Sequence, residues 1–293
     1  MSTTANITAL QLKHILVATD LSPASLWSLP FVIEIGRQYG STVYVGHVIP
    51  FGTYVAVRPQ TFDAVEEEVR QGAQKKLDSV ATEIKGHGVP TTTLLGEGDA
   101  GEVMLRWIRE HEIGLVAVGT TGRTGVRKFV LGSFAEEIVR DAKCPILTVG
   151  PALSSAKQIA LRHILYATDF SPDSLQAGAY AVSLAGRHKA RLTMLHVRNE
   201  EDAKDSRASL AERVEKVIPP ESNLSASAEV LIAEGKPATK VLEIAGEHSV
   251  DLIVIGVRGS GWSRAISHFG STAHDIIVGA SCPVLTVRAS TKE

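Results

Sequence analysis

Two aspartates, Asp20 and Asp169, stand in nearly the same string. Residues 13–25 read KHILVATDLSPAS and residues 162–174 read RHILYATDFSPDS, with nine identities in thirteen positions. Each carboxylate closes a short apolar, β-branched run, the position a strand end takes. One carboxylate there can help hold Mg²⁺, but it is not a complete hydrolytic apparatus. A second group of residues points to an anion. Gly119-x-x-Gly122 is followed by nine residues and then Gly132-Ser133, with Arg123, Arg127 and Lys128 inside the loop. Glycines let a backbone approach a phosphate, and the free N–H groups of a helix starting at Ser133 sit at its positive dipole end. The same residues also have a purely structural reading. Gly119 and Gly122 can simply turn the chain, Ser133-x-x-Glu136 has the form of a capping box, and Asp20 can cap a helix that begins near Ser22. Both readings stand on the residues alone.

The elements that must position these groups follow from periodicity. In the first half, apolar runs at 14–19, 42–49, 91–95, 115–118 and 145–149 read as strands. Helical patterns fall between them, at a segment started by Ser22-Pro23 and ended near Gly40, then at 62–85, 99–111 and 133–142. Runs such as LVAV and LIVI have no polar alternate, which fits strands buried on both faces of a parallel sheet. Five strands alternating with four helices make a doubly wound α/β domain, whose ligand crevice lies at the carboxyl ends of the strands near the topological switch point.

The pattern occurs twice. Residues 131–149 (LGSFAEEIVRDAKCPILTV) and 269–287 (FGSTAHDIIVGASCPVLTV) agree at ten of nineteen positions. The spacing between equivalent residues falls from 149 at Asp20/Asp169 to 138 at Ser133/Ser271. The shortening is expected mostly between the second strand and its helix, where the first copy carries residues 50–61. Two domains are therefore expected, 1–150 and 151–293, with a linker at about 150–161.

Composition narrows the function classes. With 30 Lys+Arg against 32 Asp+Glu, the net charge of −2 argues against a general nucleic-acid or polybasic membrane binder. Two Cys cannot make a disulfide scaffold or a four-Cys zinc site. No apolar run approaches the roughly 18–20 residues of a membrane span, and residues 1–12 lack the order of a signal peptide, so a cytoplasmic protein is expected. No G-x-x-x-x-G-K-[ST] occurs; the nearest string, at residues 96–101, is followed by Glu102. G-x-G-x-x-G is absent after the first strand, as is G-x-S-x-G anywhere. No H-E-x-x-H or C-x-x-C spacing supports a metal site. His47 and His196, like His14 and His163, are repeat-related and read as hydrogen-bonded core histidines. Cys144 and Cys282 read as small buried hydrophobes.

The Asp closing strand one, the G-x-x-G, the nine-residue loop, the Gly-Ser and the C-P-(I/V)-L-T-V ending together resemble the universal stress protein (UspA) family, in two tandem copies spanning the chain. The resemblance implies two tandem doubly wound five-stranded parallel sheets of order 3-2-1-4-5, the HUP-like fold that binds adenine nucleotides. In the first copy it implies ATP contacts from Ala18 and Asp20 to adenine and ribose. Val48 belongs to the adenine pocket, Val118 and Gly119 lie beside the nucleoside, and Gly122, Gly132 and Ser133 form the phosphate cradle, joined by Arg123 from the loop. Thr121 replaces a His common in relatives. The second copy keeps Ala167, Asp169, Val197, Gly256, Arg258, Gly259, Gly270 and Ser271, but ten residues separate Gly259 from Gly270, and the loop carries Trp262 and His268.

The expected function is thus an ATP-binding regulatory or stress-resistance protein, with Mg²⁺, an intact first site and an altered second one. Bound nucleotide would act as a conformational switch toward an unknown protein partner. A slow ATPase or phosphotransferase and a tandem interaction module without nucleotide are the alternatives. The resemblance also implies that the tandem forms an intrachain pseudo-dimer, with a homodimer as a further state. In the family's usual dimers the fifth strands pair antiparallel, which would set Cys144 and Cys282 at opposite ends and forbid a disulfide.

Overall fold

The computed structural model describes residues 12–50, 62–120, 131–153, 159–198, 206–215, 217, 228–257 and 271–289. They fall into two compact units that divide between Ile159 and Ala160.

In the first unit the order is β1 (His14–Ala18), α1 (Leu29–Tyr39), β2 (Thr42–Pro50), α2 (Phe62–Gly86), β3 (Thr91–Gly98), α3 (Ala100–Glu110), β4 (Leu115–Gly119), α4 (Ser133–Asp141) and β5 (Ile146–Val149). All pairings are parallel, in the order β3-β2-β1-β4-β5. Ile15, Leu16 and Val17 of β1 and Val116 and Ala117 of β4 are wholly buried, as strands covered on both faces require. The chain reverses its direction of travel across the sheet between β1 and β4, so the crevice beyond their carboxyl ends is the switch point.

The second unit repeats this as β6 (His163–Thr168), α5 (Pro172–His188), β7 (Arg191–Arg198), α6 (Arg207–Glu215), β8 (Glu229–Glu234), α7 (Pro237–Glu247), β9 (Leu252–Gly256), α8 (Ser271–Gly279) and β10 (Val284–Val287). Its strands are also parallel, in the order β8-β7-β6-β9-β10. Both units thus have the expected 3-2-1-4-5 order.

Three local expectations are corrected. Ser22-Pro23 does not open the first α-helix; it leads into a short 3-10 turn, Ala24–Leu26, and α1 starts at Leu29 with Pro30 in its first turn. The equivalent Ser171-Pro172 does open α5, where the Ser171 hydroxyl caps the amide of Ser174. Two prolines seven residues apart compete for the helix start in the first unit, and the later one takes it. The capping box at Ser133 is also out of register. Gly132 is the N-cap and has no side chain to offer, so Ser133 is already the first helical residue. Finally, the connection before the second helix shrinks only from residues 51–61 to residues 199–206. The larger part of the shortening lies after that helix begins, before the third strand.

Packing is exchanged between the units rather than copied. Trp107 of α3 lies over Gly46 of β2 and Gly96 of β3, where added β-carbons would come within 3.0 and 2.9 Å of its ring. The equivalent residues of the second unit are Ile244, Leu195 and Ala233, a smaller side chain over larger ones. Val17 and Leu29 become Tyr166 and Gly178, and a β-carbon on Gly178 would stand 3.1 Å from the Tyr166 ring.

Candidate functional site

The site is built outward from the end of β1. Ala18 is its last residue, in register with Gly46 on one side and Val118 on the other, so Ala18 and Val118 are direct neighbours. Val48 lies farther along β2, paired with Gly96. Ala18, Val48 and Val118 are all buried, at 1, 4 and 2 % exposure, and make an apolar floor. Beyond Ala18 the chain turns sharply. Leu21 is held at φ 63°, the left-handed region that non-glycine residues avoid at a cost of roughly 1–2 kcal/mol. Asp20 Oδ1 accepts the Ser22 N–H at 2.9 Å, closing an Asx turn.

A chain of hydrogen bonds fixes this turn. His47 Nδ1–H donates to the Thr19 carbonyl at 2.8 Å. Thr19 Oγ1 accepts the Leu21 N–H at 2.9 Å and lies 2.7 Å from Ser25 Oγ. Because the Ser25 hydroxyl donates to the Ser22 carbonyl at 2.8 Å, its one proton is committed, so Thr19 is the donor to Ser25. Thr19 and Ser25 are both buried.

Across the crevice, Gly119 ends β4 and pairs with Val149. A β-carbon on Gly119 would stand 2.6 Å from the Ala24 carbonyl oxygen and 3.0 Å from Ser25 Cα. This glycine is therefore dictated by the close approach of the Asp20 loop, with no ligand needed to explain it. Gly132 is different. Its N–H donates to the Thr120 carbonyl at 2.9 Å, which ties the start of α4 to the end of β4. Its backbone, at φ −64° and ψ 145°, suits any residue, and among the described residues a β-carbon would meet only the Thr120 oxygen at 3.5 Å. Among the described residues neither sterics nor strain asks for glycine there. Among the described residues no side chain caps the first turn of α4, whose leading amides carry the positive end of the helix dipole.

Ala18, Val118, Gly119, Gly132 and Ser133 are thus brought to one edge, with the Asp20 turn packed against Gly119. Gly122, Arg123, Thr121, Arg127 and Lys128 lie outside the described residues. In the second unit Ala167, Asp169, Val197 and Gly256 take the matching positions, and Ser271 begins α8. Arg258, Gly259 and Gly270, with Trp262 and His268, lie outside the described residues. Gly256 meets the same packing demand, since a β-carbon would stand 2.3 Å from the Ser174 nitrogen. Phe170, in the left-handed region at φ 61°, packs on His196 and beneath the Arg213 guanidinium, 3.9 Å from its ring centre.

The roles of Thr19 and Ser25 are not evident from single residues. Their signal was the repeat itself, since both belong to the nine identities shared by residues 13–25 and 162–174. Of the other repeat-related groups, His47, His163, His196 and Cys282 are buried as expected, whereas His14 and Cys144 are only half-buried. His14 and His163 donate from Nδ1 to the carbonyls of His111 and His248. Cys144 and Cys282 are free thiols that burial pushes up to about 12, away from redox reactivity. Among the described residues no cluster of three or more His, Cys, Asp or Glu could hold a metal, and no helix is long and apolar enough to cross a membrane.

Comparison with known proteins agrees with this architecture. The model of the universal stress protein family matches twice, over residues 11–150 and 160–288. The chain belongs to the universal stress protein family. Curated relatives of this tandem universal stress protein match about half of its length. Universal stress protein MJ0531 of Methanocaldococcus jannaschii is 28% identical over 138 residues, covering 47% of this chain and 81% of its own. YxiE of Bacillus subtilis is 24% identical over 145 residues, 47% of this chain and 98% of its own. A universal stress protein from Archaeoglobus fulgidus has the same fold over almost the whole length. Its TM-score is 0.79 at 22% identity, covering 96% of this chain and 100% of that one.

Proposed function

We propose that this universal stress protein binds an adenine nucleotide, ATP with Mg²⁺, in its first unit, and that occupancy switches the surface it offers to a protein partner. The observation that carries the proposal is Gly132. Among the described residues nothing requires a glycine there, it offers no side-chain cap of its own, and it lies at the start of a helix, one hydrogen bond from the strand end that faces Asp20. A phosphate approaching that backbone would give its missing side chain a reason, and the amides of the first turn of α4 would hold it. Asp20 and the apolar floor of Ala18, Val48 and Val118 suit a nucleoside on the other side of the crevice. The protein binds rather than turns over its nucleotide in this reading, because Asp20 is the one carboxylate that the family motif brings to the crevice, and one carboxylate is not a complete hydrolytic apparatus.

The test is direct. Freshly purified protein is denatured and the supernatant examined by mass spectrometry, and stripped protein is melted with Mg-ATP. Released nucleotide, or a thermal shift that Gly132→Val removes without lowering the melting temperature of the free protein, supports the proposal. Absence of both in the parent protein sinks it.

A further inference from the structure

The turn that carries Asp20 is held by more bonds than a loop of that length needs. Reading the donors and acceptors in order, the Leu21 N–H donates to Thr19 Oγ1, Thr19 donates to Ser25 Oγ, and Ser25 donates to the Ser22 carbonyl. His47 closes the other side by donating to the Thr19 carbonyl. That carbonyl lies just past the last β1–β2 register pair, Ala18 with Gly46, and the imidazole serves in place of a strand partner. The result fixes both peptide planes that flank Asp20 and maintains the left-handed conformation of Leu21. Strained conformations persist where their surroundings over-determine them, and they gather at ligand clamps.

The second unit provides an independent comparison. The Phe170 N–H donates to Thr168 Oγ1 at 3.0 Å, and Thr168 Oγ1 lies 3.1 Å from Ser174 Oγ. Ser174 donates to the Ser171 carbonyl at 2.9 Å, and His196 Nδ1 donates to the Thr168 carbonyl at 2.8 Å. Leu21 and Phe170 differ in φ by two degrees, 63° against 61°. Nine of the thirteen residues of the turn segment are identical between the units, but three packing neighbours differ: Val17 against Tyr166, Leu29 against Gly178, and Gly46 against Leu195. The helix start differs as well, a 3-10 turn in one unit and α-helix in the other. The relay keeps its geometry across these changes.

We infer that Thr19, Ser25 and His47 are positioning residues that set the Asp20 carboxylate for a nucleoside before the ligand arrives. The inference rests on the proposed nucleotide site and adds to it the device that pre-organises its nucleoside side. Pre-organisation strengthens binding by removing the ordering cost that the ligand would otherwise meet. Thr19→Val keeps the side-chain shape, but leaves the Leu21 N–H without its acceptor and Ser25 without its donor. Thr19→Ser keeps both.

The experiment measures adenosine and Mg-ATP affinity by calorimetry for the parent, Thr19→Val, Thr19→Ser and Ser25→Ala, with amide hydrogen exchange at Leu21 and Ser22 in the free proteins. Thr19→Val is expected to weaken both ligands about tenfold, the usual effect of one lost buried hydrogen bond. Its Leu21 and Ser22 amides should exchange faster, and Thr19→Ser should restore both readouts. If Thr19→Val does not melt cooperatively, Ser25→Ala carries the same expectation. A parent that binds while a folded Thr19→Val or Ser25→Ala binds equally well overturns the inference alone, as does a Thr19→Ser protein as weak as Thr19→Val. A parent that binds neither ligand overturns the nucleotide site and the inference together.

Discussion

The two glycines that bracket the crevice have different causes, although the motif presents them as equals. At Gly119 the neighbouring atoms are backbone, the Ala24 carbonyl and Ser25 Cα, and backbone cannot swing aside as a flexible side chain does. Gly119→Ala is therefore expected to destabilise the protein by about 1–3 kcal/mol, the usual range for overpacking. It should also displace the Asp20 turn. Gly256→Ala should act in the same direction in the second unit, where the close atoms are again backbone. Thermal melts with calorimetry check both, and an unchanged melting temperature in either would contradict the packing account. The residue types were legible in the sequence. That one glycine meets the backbone of a loop and the other, among the described residues, only the Thr120 oxygen was not, because the difference lies in which atoms stand within 4 Å.

At the scale of elements, helix α3 is the clearest case of a layer tuned to its sheet. Asp99 accepts the Glu102 N–H at 2.9 Å and caps the helix, while Trp107 lies against Gly46 and Gly96. The second unit begins α7 at Pro237 after Lys236, with no side-chain cap, and sets Ile244 at the Trp107 position. Gly96→Ala puts a methyl 2.9 Å from both Trp107 and Val103, so it is expected to cost about 1–3 kcal/mol alone. In a Trp107→Ile background, which imitates the second unit, the penalty should shrink, with a coupling of about 1 kcal/mol in a double-mutant cycle followed by urea unfolding. Purely additive effects would show that the ring and the glycine do not share the layer. Strand and helix order could be read from periodicity here. The start of α1 could not, because Pro23 and Pro30 offer competing helix starts and only packing on the sheet selects the later one.

The whole chain joins two units of one fold whose sequences differ in the length of the loop before the fourth helix of each unit. The Asp20 and Asp169 turns are nearly superimposable in their bonding, whereas the loop before α8 is one residue longer than that before α4. One Mg-ATP per chain is therefore the expected stoichiometry by calorimetry, lost in Asp20→Ala and retained in Asp169→Ala. At a hundred times its Kd, such a ligand should add about 2.7 kcal/mol of stability. Two equivalent sites per chain would contradict the unequal-halves reading.

By itself the sequence determined the duplication, the succession of strands and helices and the elements that carry Asp20, Gly119 and Gly132, while the 3-2-1-4-5 order came from the family resemblance. Periodicity and identity between the halves are local, additive signals that a linear string preserves. Only the tertiary structure decided which polar groups meet. His47 lies 28 residues from Thr19, and the direction of the Thr19–Ser25 bond follows from where the Ser25 proton is already spent. Hydrogen bonds are short and directional, so their pairing is settled only once parallel strands bring distant residues into register.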